Sequence, residues 1–200
     1  MDIEPKYHVE RRRVRYARIS VDHELNVKIV IPMRYTRAHL DVLLEEKKRW
    51  IAKQVAHFVL ARERAVKLGQ DELLYFGEPF RVDFDATNAK LAEAWYRDRA
   101  KEHVFTRVAE LAGQFGYAYN RLFIRGSKTR WGSCSRQKNL SFNWRLMKTP
   151  PHVVDYLILH ELAHTVHFNH SKRFWARVEA TCPDYRLAER WLKENGSALH

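Results

Sequence analysis

One stretch constrains this chain more than any other: ILHELAHTVHFNHSKRFW, from Ile158 to Trp175. Residues four apart on a helix lie one turn apart on the same face, so His160 and His164 aim two imidazoles at one point. Glu161, beside the first, can reach a water at that point without taking a ligand position. That is the physical content of H-E-x-x-H: two metal ligands and a general base. Val154, Leu157, Ile158, Leu162 and Val166 give the same helix an apolar side. Any fold for this chain must therefore bury a helix while keeping polar, reactive groups on it.

A catalytic zinc takes three protein ligands and keeps a fourth position open. His170 is the natural third, but a straight helix would place it on another face. The chain must turn after His164. Asn169 is expected to help by adopting a left-handed C′ conformation, and Ser171 to cap the next helix. Phe174 and Trp175 would wedge that helix against the first. His167, part-way round the helix, reads as a packing or surface residue, and His152 carries no signal.

The rest of the chain reads as mixed α+β. RVRYARISV and LNVKIVI alternate as a hairpin closed by Pro32, and Thr36 looks like the N-cap of a helix from Arg37 to about Leu68, with Gly69 as its stop. LLYFG and PFRVDFD suggest a second hairpin across Gly77-Glu78. A helix from Asn88 to about Gln114 has an expected buried stripe of Leu91, Trp95, Val104, Val108 and Leu111. RLFIR, RWGSCS and NLSFNW read as strands. Three helices come after them: one from Pro150-Pro151 with Thr149 as N-cap, one after Ser171, and one from Asp184 to Asn195 stopping at Gly196. We expect a β-hairpin/helix region over 1–87 and a catalytic region over 88–200, joined in one compact unit.

The net charge of +12 admits anionic partners, including nucleotides or nucleic acid. No acidic residue lies between Glu110 and Asp155, while Arg121, Arg125, Lys128, Arg130, Arg136, Lys138, Arg145 and Lys148 do. The acid-free segment leads straight into the histidines. No apolar run approaches the roughly 18 residues of a membrane span, and MDIEPKYHVERRR has no secretory h-region. Two cysteines, Cys134 and Cys182, make no disulfide framework, so a cytoplasmic protein with reduced thiols is expected.

RWGSC at 130–134, NLSFNWRL at 139–146, the HELAH helix and NHS.RFW together resemble the YgjP-like metal-dependent hydrolases, which are related in motif to the SprT-like zinc metallopeptidases. The match extends over most of the chain and is loosest around residues 70–90. The resemblance implies a zincin-like fold, a small sheet packed on the active-site helix, with His160, His164 and His170 as zinc ligands and Glu161 as base. Amide hydrolysis also needs an oxyanion donor; Tyr156, Arg130 and Asn143 are candidates. RWGSCS would be an edge strand that pairs with extended substrate, with Trp131 either a subsite wall or a core anchor and Cys134 a small buried residue.

The expected activity is zinc-dependent cleavage of protein or peptide. The alternative is metal-dependent pyrophosphohydrolysis of nucleoside triphosphates, which the basic segment favours. GSKT at 126–129 lacks the full phosphate-loop pattern, however, and no acidic cluster for magnesium stands nearby. A peptidase acting on nucleic-acid-bound protein, or a non-enzymatic zinc module, are the remaining readings.

Overall fold

The computed structural model describes residues 5–22, 24–64, 66–127 and 129–199. Contacts divide the chain into two compact units, 1–65 and 66–200. Residues 66–87 thus group with the C-terminal unit, not with the N-terminal one.

In the first unit, β3 (Asn26–Pro32) is central, with β1 (Lys6–Arg12) parallel on one side and β2 (Arg18–Val21) antiparallel on the other. Alternation puts Val27, Ile29 and Ile31 on one face, where they share a small core with Ile51 of α1 (Arg37–Arg64). Strand β1 escaped the sequence reading because it is an edge strand of mostly exposed, charged residues. Thr36 does cap α1, accepting from the amide of His39. The helix stops at Arg64, short of Leu68 and Gly69. Val66 and Leu68 are exposed, so no burial would stabilise a further turn.

The second unit opens with a hairpin, β4 (Glu72–Tyr75) and β5 (Glu78–Arg81). Its turn residues are Phe76 and Gly77, both at positive φ, one position earlier than expected. The Phe76 amide is fixed by the Met147 carbonyl at 2.8 Å. Helix α2 (Ala89–Phe115) starts at the Asn88 cap and ends at left-handed Gly116. Its buried stripe is Tyr96, Ala100, Val104, Val108, Leu111 and Ala112; Leu91 is 46% exposed and lies off it. Strands β6 (Leu122–Arg125), β8 (Leu140–Asn143) and β7 (Gly132–Cys134) form a sheet in that order, β6 parallel and β7 antiparallel to β8.

A 3-10 turn, Trp144–Lys148, occurs where sequence suggested only strand and loop, and Thr149 closes it instead of capping the next helix. Helix α3 (Pro151–Ala163) begins at Pro150 with no side-chain cap. Helices α4 (Lys172–Thr181) and α5 (Tyr185–Asn195) complete the unit; α5 ends at its C-cap Gly196, as expected, and a short 3-10 turn, Gly196–Leu199, follows. Helix α3 is apolar nearly all round, the signature of a helix packed on every side; Val153, Val154, Ile158, Leu162 and Ala163 are fully buried. Arg107 of α2 clasps Asp155 of α3 through two bonds, Nε to Oδ1 at 2.7 Å and Nη2 to Oδ2 at 2.9 Å. No helix among the described residues is long and apolar enough to cross a membrane.

Candidate metal centre

Three imidazoles converge. His160 stands on the last turn of α3, His164 is its C-cap, and His170 immediately precedes the Ser171 cap of α4. The Nε2 of His170 lies 3.1 Å from that of His160 and 3.2 Å from that of His164. The corner is made early: the amides of Thr165, Val166 and His167 bond back to Leu162 and Ala163. Asn169 is not left-handed, since positive φ outside glycine falls at Leu25, Phe76 and Lys138 among the described residues. The expected asparagine hinge is thus replaced by a hydrogen-bonded turn that starts at His164. Phe174 stacks on His164 at 4.4 Å between centroids, and Trp175 on His170 at 5.7 Å. These rings hold both imidazoles edge-on to the centre.

The donor set fits a metal ion. Two nitrogens bound tetrahedrally at roughly 2.0–2.1 Å from zinc stand about 3.3 Å apart, close to the separations observed. His164 Nδ1 faces the His167 carbonyl at 3.0 Å. A carbonyl only accepts, so Nδ1 carries the hydrogen and Nε2 offers its lone pair inward. Burial, reinforced by His164 and His170, lowers His160 to about 3, and burial lowers His164 too. Burial thus favours the neutral, ligating form of both His160 and His164. His170 Nε2 meets two other Nε2 atoms yet can donate to only one, so a shared cation satisfies the trio better than hydrogen bonds can.

Glu161 is 5% exposed, and its Oε2 is buried without a hydrogen-bond partner. Burial alone pushes its carboxyl up to about 8. What shapes its place is Gly132 of β7. A Cβ there would stand 2.6 Å from Oε1, 2.7 Å from Cγ and 2.9 Å from Cδ of Glu161. The glycine of RWGSC is thus a space that the Glu161 side chain fills. Sequence reasoning missed this because strand and helix meet only through the fold.

The other candidates separate. Asn143 is 2% exposed; its Nδ2 donates to the carbonyls of Ser127 and Arg130, and its Oδ1 accepts from the Arg145 amide. Its amide is committed to the backbone. The Tyr156 hydroxyl faces His160 Nδ1 at 3.4 Å, on the side of the ring away from the centre. Arg130 is exposed. Trp131 lines a surface groove with Arg125 and Arg130. Cys134 gives its Sγ hydrogen to the Ser135 carbonyl, and burial, with Glu161 nearby, pushes its thiol up to about 11. It is an unreactive small side chain, and both cysteines are unpaired. His167 contributes through its carbonyl, a role its side chain did not advertise. Lys128 of GSKT lies outside the described residues.

Comparison with known proteins agrees with this chemistry. The model of the YgjP-like, metallopeptidase domain family matches residues 15–93 and 85–195. No curated protein matches. Among solved structures, the metallopeptidase zymogen of Methanocaldococcus jannaschii jannalysin is 22% identical, covering 44% of this chain and 93% of that one, with a TM-score of 0.37. The zymogen of Pyrococcus abyssi abylysin is 21% identical, covering 46% and 97%, with a TM-score of 0.38. With matches reaching from residue 15 to residue 195, the chain belongs to the YgjP-like metallopeptidase domain family.

Proposed function

We propose that this chain is a zinc-dependent peptidase of zincin-like build, whose catalytic region lies within residues 88–200. The observation that carries the reading is the convergence of three imidazole nitrogens, next in sequence to a buried carboxyl whose Oε2 has no hydrogen-bond partner among the described residues. His160, His164 and His170 would hold the ion. A zinc ion there would supply Lewis acidity, which acidifies a water and polarises a scissile carbonyl.

The chain's own groups do the rest. Glu161 takes the attacking water's proton on Oε2 and returns it to the leaving amide nitrogen. This two-way transfer needs a carboxyl that titrates near the working pH. Burial raises Glu161 to about 8, and a nearby dication would draw it down from there. Gly132, having no side chain, leaves the space that the Glu161 carboxyl occupies. His164 is held in its ligating tautomer by the His167 carbonyl. Strand β7, at the edge of its sheet, offers main-chain groups to an extended substrate. The unpaired cysteines suit a reducing, cytoplasmic setting.

The test is purified protein, with metal content measured, offered unfolded casein and, separately, nucleoside triphosphates. The expected result is one equivalent of zinc, casein cleavage that stops on chelation and resumes on zinc addition, and intact triphosphates. Triphosphate hydrolysis without casein cleavage would replace this reading with a pyrophosphohydrolase.

A further inference from the structure

We propose that the groove beside Gly132 receives an acidic segment of the substrate, so that the site selects peptides carrying Asp or Glu next to the bond it cuts. The proposal rests on the peptidase reading and adds a substrate class to it. The groove is lined by Arg125 and Arg130, by the hydroxyl-bearing Ser127, Thr129, Ser133 and Ser141, and by Gly132. Gly132 is also the residue against which the Glu161 side chain packs. Gly132 therefore belongs both to the groove lining and to the packing around the proposed base, so the groove lies one residue's thickness from Glu161.

The chemistry of this lining is one-sided. Beside Trp131, Phe142 and Asn143 it presents guanidiniums and hydroxyls, and among the described residues no carboxylate lines it. The sequence has no acidic residue from 111 to 154 to neutralise it locally. Both arginines are exposed, and neither is among the ion pairs formed by the described residues. Three exposed arginines elsewhere, Arg37, Arg81 and Arg99, are each paired with a carboxylate. The Arg125 guanidinium rests on the Phe123 ring, 4.9 Å from its centroid. The segment that carries Arg130 is tied to β8 by Asn143, which bonds the Ser127, Arg130 and Trp131 carbonyls. Two cations on a pinned scaffold, with hydroxyls around them that can donate, match carboxylates in an extended chain.

The experiment uses zinc-loaded Glu161→Gln protein, which can bind without cutting, and two labelled unstructured peptides of equal length, one Asp/Glu-rich and one Lys/Arg-rich. The acidic peptide is expected to bind more tightly. Arg125→Glu with Arg130→Glu should weaken it about tenfold and favour the basic peptide. Arg125→Ala with Arg130→Ala, a milder pair, should remove the preference while circular dichroism stays unchanged. Lys47→Glu with Arg49→Glu on α1 makes the same change in net charge and should move binding by less than about twofold. Equal binding of the two peptides, equal effects of the groove and α1 reversals, or displacement of the acidic peptide by a tighter-binding nucleoside triphosphate would each overturn the proposal. All are binding readouts. Failure of the wild type to cut any protein would instead sink the peptidase reading and leave these results standing.

Discussion

Helix α1 is 28 residues long and exposes Val42 at 60%, Trp50 at 40% and Leu60 at 49%. Among its described side chains only Ile51 is buried. Helix α3 is 13 residues long and buries nine of them. The contrast changes what one residue type does. Glu45 on α1 sits in the open, 3.6 Å from Lys48. Glu161 on α3 is enclosed, lacks a partner for Oε2 and is pushed up to about 8. The raised pKa of Glu161 comes from burial, and burial comes from a helix packed on nearly every side.

Substitutions on and around the two helices put that contrast at risk. The largest stability effect is expected in the core of α3, where Leu162→Ala should cost about 2–5 kcal/mol in a denaturant melt. A loss below about 1 kcal/mol would mean that α3 is not tightly packed. Next comes Gly132→Ala. The new methyl must displace Glu161, and misplacing a proposed base by about 1 Å should lower kcat about 100-fold with zinc content unchanged. Adding Glu161→Ala should then raise the melting temperature above that of Gly132→Ala alone, because the clash is gone. An unchanged kcat would show that Glu161 does not depend on this space.

Lys148 gives the pH arm. Burial, with Arg145 nearby, lowers its ammonium from 10.5 to about 8. Between those values the unfolded chain holds a proton that the folded one has lost, so stability should rise as pH climbs from about 8 to about 10.5. Below 8 the buried charge opposes folding in full, offset in part by the Tyr96 and Trp144 rings at 5.3 and 5.5 Å. Lys148→Met should therefore stabilise the protein by about 1–3 kcal/mol at pH 7 and flatten the rise. A rise that survives the substitution would assign it to another group. The smallest effect belongs to α1: Lys48→Met, which loses only its exposed pair with Glu45, should shift stability by less than about 0.5 kcal/mol.

Local signals carried far in the sequence. Asn88 and Ser171 cap their helices because an Asx or Ser side chain serves the nearest free amides, a contact within three residues. Thr149 and Asn169 looked equally local and did not behave so: Thr149 closes the 3-10 turn before α3, and the corner after His164 is built from main-chain bonds. Strand β1 was illegible because an exposed edge has no apolar period. At the site, the pairing of His160 with His164 follows from one helical turn. The space at Gly132, the His167 carbonyl and the enclosure of Glu161 arise from strand, turn and helix meeting in three dimensions. No spacing rule reaches them.

The buried carboxyl group of Glu161 is proposed to work as a base beside a metal held by His160, His164 and His170. Casein cleavage by the wild type and by Glu161→Gln, each loaded with one equivalent of zinc, tests that role most directly. The expected result is a fall of about 100-fold or more for Glu161→Gln at equal zinc content. Equal rates at equal zinc content would contradict it.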